Sequence, residues 1–150
     1  MTKVIIFVII YEHINHYEKR IIMNLGYACI NATLSEVPKS QRITTNRSMI
    51  KRTFKEKGLP YASELALQNV KDLYKILEWN EAHDIKFFRV SSDLFPWMSE
   101  YSIRDLPDYH DIAYALDQVG EYATINGHRL TTHPGPFNVL GSPNEKVVTN

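Results

Sequence analysis

With 150 residues, 44% of them hydrophobic and 11% aromatic, the chain has enough apolar content to bury a core, which excludes a disordered or fibrous protein. Seventeen basic and seventeen acidic residues cancel, so no global field draws a polyanion toward it. The single cysteine, Cys29, excludes an intramolecular disulfide framework and a cysteine-rich zinc site, and its expected role is a buried small residue in a reducing compartment.

In chain order, residues 4–11 form a continuous apolar run followed by polar residues 12–20. Eight residues fall short of the roughly 20 that cross a bilayer. Tyr11-Glu12-His13 offers no small-residue cleavage site for a secretory signal. Residues 1–22 therefore read as an appended N-terminal extension, either a strand of its own or a segment upstream of a start at Met23.

Residues 24–31 form a short, mostly apolar run with a polar end, the first strand. Residues 32–46, rich in Thr and Ser and containing Pro38, form a long loop, which in compact domains is often functional. Lys39, Arg42, Arg47, Lys51, Arg52, Lys55 and Lys57 then fall in one stretch opposed only by Glu56. Such a local patch either neutralises phosphates or forms a solvated helix face. Residues 61–83 carry Leu67, Val70, Tyr74 and Leu77, with Leu73 alongside, on one face of an amphipathic helix. Residues 85–90 form a second strand, and residues 91–107 a loop containing Pro96 and Trp97. A second helix covers residues 108–125 and stops at Asn126-Gly127. Residues 128–133 form a third strand broken by Pro134-Gly135-Pro136. Ser142-Pro143-Asn144-Glu145 has the form of a capped helix start.

Strands alternating with helices imply a parallel sheet, and the loops leaving the C-terminal ends of such strands build the site. His133 ends the third strand, where an imidazole suits a borderline divalent metal or serves as a hydrogen-bonded structural group. The loop after the second strand offers Asp93 and Glu100, two carboxylates able to ligate hard cations. Asp93 is equally a turn residue, and Trp97 a lid over the core. Tyr27 and Asn31 lean to the same side of the first strand, where Tyr27 either stacks on a base or fills the barrel.

Residues 24–31, Thr44-Thr45-Asn46-Arg47, residues 88–96 and His133-Pro134-Gly135-Pro136-Phe137 occur in the order and at the spacing of the UV-damage DNA endonuclease family, which residues 23–150 resemble. The resemblance implies the N-terminal part of a (β/α)8 TIM-type barrel related to endonuclease IV, with about three of its eight strand–helix units present. It implies metal-dependent hydrolysis of the phosphodiester bond on the 5′ side of a damaged nucleotide, with a cluster of divalent Mn, Mg or Zn ions activating water and neutralising charge. It also carries over individual roles. His133 matches a metal-ligand histidine, Glu100 stands where many members place a histidine ligand, Tyr27 and Asn31 match the damaged-DNA site, and Asn46 and Arg47 lie in a loop facing the backbone. Pro136 and Phe137 stand where some members carry Gln-Tyr at the lesion, which puts the probing of the lesion in doubt. Glu100 in place of histidine shifts the metal preference toward hard cations.

The expected partners are damaged double-stranded DNA and a complementary C-terminal half chain supplying the missing ligands, with no membrane. The expected location is intracellular, in the cytoplasm, nucleoid or nucleus. A full barrel takes about 250 residues, so a product of 150 residues is expected to be a fragment, a split-gene half or a degraded frame. Two other readings fit parts of the pattern: a xylose-isomerase-like sugar isomerase or epimerase, and a non-catalytic DNA-binding remnant.

Overall fold

In the computed structural model, which describes residues 25–132 and Pro143, three strands pair in parallel in the order β1, β2, β3. They are β1 (Gly26–Ala28), β2 (Phe87–Val90) and β3 (Arg129–Thr132). Between them run a short helix α1 (Ala32–Ser35), a long helical segment α2 (Lys51–Ala82) and α3 (Tyr109–Ile125). The parallel pairing and the β-α-β-α-β order agree with the sequence reading, each strand being two to five residues shorter than expected. The apolar run at residues 4–11, His133, Pro136 and Phe137 lie outside the described residues, as does the helix start at 142–145 apart from Pro143.

Register sets the two faces of the sheet. Tyr27 pairs with Phe88 and Phe88 with Leu130, so these three share the face that meets the helices. Phe88 and Val90 are buried there beside Val70, Leu73 and Leu77 of α2 and Ile112 of α3. The opposite face carries Gly26, Ala28, Phe87, Arg89, Arg129 and Thr131. Gly26 is required by closeness, because a Cβ there would collide with the carbonyl and ring of Phe87.

Four expectations are corrected. The helix expected to start at residue 61 begins at Lys51, so much of the basic stretch is helical, and Gly58, with φ 63°, breaks the segment in two. Glycine enters that left-handed region without the Cβ penalty, and Pro60 then suits the first turn of the second part. The second correction concerns facing. Tyr74, expected to share one helix face with Val70 and Leu77, has its ring 5.0 Å from that of Tyr122 and seals α2 against α3. The loop at residues 32–46 is also more ordered than expected, holding α1 and a 3₁₀ turn at Lys39–Gln41. Cys29 is half-buried rather than buried, with φ 64°, because the chain turns sharply as it leaves β1.

At the N-terminal ends of β2 and β3, Glu81 accepts from Lys86, whose ammonium also donates to the Asn126 carbonyl at 3.1 Å. Lys86 holds the Glu81 carboxyl below its usual range. The buried ring of His128 brings Nε2 to 2.8 Å from the same carboxylate, off the hydrogen-bond direction.

At the opposite end, two loops are tied to α2. Asn69, fully buried, accepts from the Arg47 N–H at 3.0 Å through Oδ1. Its Nδ2 donates to the Arg47 carbonyl at 3.0 Å and to the carbonyls of Asp93 and Leu94 at 3.0 and 3.3 Å. One side-chain amide therefore satisfies backbone groups from both loops. An aromatic stack adds a second tie: the Phe54 ring of α2 lies 5.7 Å from Trp97 and 6.4 Å from Tyr101, whose hydroxyl donates to the Pro96 carbonyl at 2.7 Å.

Both ties yield tests. Replacing Asn69 with leucine keeps the volume but orphans buried loop groups, so stability should fall by about 3 kcal/mol and the melting temperature by about 6–12 °C; an unchanged melting curve would show that the loops do not hang on this amide. Burial pushes the Tyr101 phenol up to about 12, from an ordinary value near 10. The folded state thus prefers the neutral phenol, a contribution intact below about pH 10 and lost as pH rises through about 12. A phenolate absorbance titration should show a late-ionising tyrosine that is missing in Tyr101→Phe, and identical curves for the two proteins would refute the assignment.

Candidate nucleic-acid interface

The loops leaving β1 and β2 meet at the C-terminal edge of the sheet, where parallel α/β folds build their sites. In the first loop, Asn31 acts as the N-cap of α1, its Oδ1 accepting from the Leu34 N–H at 3.1 Å. Its Nδ2 donates to the Tyr27 hydroxyl at 2.7 Å, and that hydroxyl donates to Asn80 Oδ1 at 2.6 Å. The Tyr27 ring stands edge-on to Phe88 at 5.0 Å. Burial raises the Tyr27 phenol, and the two amide hydrogen bonds pull it back. The side chains of Tyr27 and Asn31, expected to lean to the same side, meet directly, and the Tyr27 ring packs on the helix-facing side of the sheet.

Further along, Asp72, 1% exposed, receives the Thr44 N–H at 3.1 Å and the Arg47 guanidinium at 2.7 Å. Arg47 also donates to the carbonyls of Thr44 and Arg42 at 2.7 and 2.6 Å. Its charge is therefore used to close the loop on itself and on α2. Asn46 is half-exposed, its N–H bound to the Thr44 hydroxyl and its Oδ1 within 3.2 Å of the Thr45 hydroxyl. The remaining cations of the stretch differ. Lys39, Arg42, Lys51, Arg52, Lys55 and Lys57 are exposed. Arg52 pairs with Glu56 at 3.7 Å, with side chains 80% and 63% exposed, a surface ion pair worth little. Lys57 lies 4.1 Å over the Tyr61 ring.

In the second loop Ser91 caps a 3₁₀ turn, accepting from the Asp93 N–H at 3.1 Å, so Asp93 occupies the turn. Trp97 adopts φ 62°, and its indole donates to the Met49 carbonyl at 2.9 Å, joining the second loop to the first. The lid reading of Trp97 matches this position over Phe54. Glu100 ends the next 3₁₀ turn, exposed.

Among the described residues no three His, Cys, Asp or Glu side chains gather, and Glu100 stands apart as a single exposed carboxylate. Sequence reasoning missed Asn69 and Asp72, the residues that shape both loops. Their signal was present, since polar residues at 69, 72 and 80 interrupt an otherwise apolar helical stripe, and buried polar groups are retained where they are hydrogen-bonded. No helix among the described residues is long and apolar enough to cross a membrane.

Comparison with known proteins agrees with this architecture. The family model described as UV-endonuclease UvdE matches residues 23–150. The chain is 44% identical over 130 residues to a putative UV-damage endonuclease of Acanthamoeba polyphaga mimivirus, covering 85% of this chain and 38% of that protein. It is 39% identical over 128 residues to the UV-damage endonuclease of Schizosaccharomyces pombe, covering 83% of this chain and 20% of that one. The crystal structure of SacUVDE superposes with a TM-score of 0.66 at 28% identity, covering 85% of this chain and 40% of the other. The chain thus spans well under half the length of these relatives, and its three parallel strands with their helices are the N-terminal part of a TIM-type barrel. By the match over residues 23–150, the chain belongs to the UV-endonuclease UvdE family.

Proposed function

We propose that this chain is the DNA-gripping, N-terminal portion of a UV-damage repair endonuclease that hydrolyses the phosphodiester bond 5′ to a damaged nucleotide with divalent metal ions. The observation that carries the reading is the platform of two bonded loops at the C-terminal edge of the sheet, beside which six exposed cations stand. A sugar isomerase has no need of that charge. Phosphate contact is electrostatic and comes from exposed Lys and Arg, so it falls to Lys51, Arg52, Lys55 and Lys57, while Arg47 acts by fixing the loop that precedes them.

Tyr27, Asn31, Asn46, Pro136 and Phe137 are the proposed lesion-side residues, with Tyr27 and Asn31 acting as a hydrogen-bonded pair. His133 and Glu100 are the proposed contributions to a Mn, Mg or Zn cluster. The remaining ligands have to come from outside the described residues, by way of the rest of the barrel or a complementary C-terminal half. The proposed substrate is damaged double-stranded DNA inside the cell, and residues 1–22 are proposed to be an extension dispensable for binding it.

The test is a chimaera in which residues 23–150 replace the matching segment of the Schizosaccharomyces pombe relative. It should nick UV-irradiated plasmid in the presence of Mn and leave unirradiated plasmid intact. His133→Ala should abolish incision yet keep duplex affinity, whereas removing Lys51 and Lys55 together should lower the log–log salt slope of binding by about two. Incision at the wild-type rate by the His133→Ala chimaera would overturn the ligand assignment, and a chimaera unable to nick would overturn the enzymatic reading. In the chain itself, starting at Met23 should leave melting temperature and duplex affinity unchanged; loss of either would make residues 1–22 part of the domain.

A further inference from the structure

On the solvent side of the helices, α2 and α3 leave a recess of about 680 Å³ between them. Its α3 wall carries Asp111, Tyr114 and Ala115, and its α2 wall carries Lys71, Tyr74 and Lys75. Tyr74 is anchored by its contact with Tyr122, and Ala115 contributes only a methyl group, which leaves the space. Five of the nine lining residues are exposed, so the recess is an open trough and does not enclose a small molecule, which needs most of its surface buried. What it offers is a face for another protein surface. Tyr114 stands there 67% exposed, and tyrosine is among the side chains that most often anchor an interface.

The charges on the two walls identify the occupant. Lys75 is already held by Asp72 at 3.2 Å, whereas neither Lys71 nor Asp111 has an ion pair among the described residues. The trough therefore presents one uncommitted cation on α2 and one uncommitted anion on α3. A partner of a single sign, such as an acidic peptide or a nucleic acid, satisfies one wall and is repelled by the other. A second copy of this chain satisfies both. A two-fold axis midway between Lys71 and Asp111 exchanges them, so each lysine faces the other copy's aspartate in an isologous contact. The same axis sets each Tyr114 against the other copy's trough. With a net charge of zero, two copies approach without long-range repulsion. We propose that α2 and α3 form a self-docking face, on which two copies of the chain pair with Lys71 against Asp111 and Tyr114 between them. No residue lining the trough belongs to the loops after β1 and β2, so the pairing does not draw on the proposed DNA platform.

Sedimentation equilibrium of the full chain over a range of concentrations measures the pairing. The wild type should pass from monomer to dimer as concentration rises, and added salt should move the midpoint to higher concentration, as screened charges require. Lys71→Glu and Asp111→Lys each set like charges against one another twice in every dimer, and each should weaken pairing about tenfold or more. The variant carrying both changes restores opposite signs and should recover most of that loss. Tyr114→Ala should weaken pairing about tenfold or more while the dilute monomer melts as before. The recovery separates a charge pair from damage to the fold. Reversing Asp111 removes a favourable charge from the first turn of α3, and a helix weakened in that way is not repaired by changing Lys71. A monomer at every concentration would overturn the proposal. An oligomer unmoved by the single reversals would overturn it too, placing the contact at the open edges of β1 and β3, as would a double variant that pairs no better than the singles.

Discussion

The described structure depends on a single primary amide. Asn69 sits fully buried on α2 with one acceptor and two donor hydrogens, and the loops after β1 and β2 use all three. One hydrogen goes to the Arg47 carbonyl and the other is shared between the carbonyls of Asp93 and Leu94. Loops 22 and 24 residues away from it in sequence thus become neighbours through one side chain. Backbone groups of a loop normally need water or another segment of chain. Because Asn69 stands in for both, the loops lie close enough for the Trp97 indole to reach Met49, and everything proposed for the platform follows from that approach.

Asp72, one turn on, extends the same logic to charge. A carboxylate 1% exposed must be compensated, and it is, by Arg47 at 2.7 Å, Lys75 at 3.2 Å and the Thr44 N–H. Such a pair is weak evidence of stability, because desolvation offsets most of the attraction. Its worth lies in direction: the arginine fork donates to a carboxylate and two carbonyls, which fixes the turn at residues 42–47. Removing either partner would strand the other, so the two act as one unit.

How much of this could be read from the residues follows from range. The second part of α2, α3 and the parallel order of β1, β2 and β3 were legible, because apolar spacing and the Asn126-Gly127 stop act within a few residues. The early start of α2 was not. Gly58-Leu59-Pro60 reads as a boundary, and the packing of Phe54 against Trp97, far away in sequence, leaves no local signal before it. Arg47 looked like any other member of a basic run because nothing local marks it as the partner of a carboxylate 25 positions later. Tyr27 was ambiguous for a similar reason, since the facing of a three-residue strand is set by its register with Phe88 and not by its own pattern. His133, Pro136 and Phe137 lie outside the described residues, so the structure adds nothing to what the sequence says of them.

The two faces of the sheet separate what this portion holds from what it lacks. The helix-facing side is satisfied: Phe88 and Val90 are buried, and Tyr27 has both a ring partner and two amides. The other side carries Phe87, Arg89 and Arg129, with Arg129 5.7 Å over the Phe87 ring. β1 and β3 each pair on one edge only among the described residues. In a closed barrel those edges take further strands, and the face between them becomes a packed interior. Arginines placed there call for carboxylates from elsewhere in the barrel, because a buried cation needs a partner. The platform, by contrast, is assembled from α2 and the first two loops alone. On the proposed reading, grip and chemistry are therefore divided along the chain: the surface that holds phosphates is complete within the described residues, and the interior that would hold metals is completed by strands beyond them.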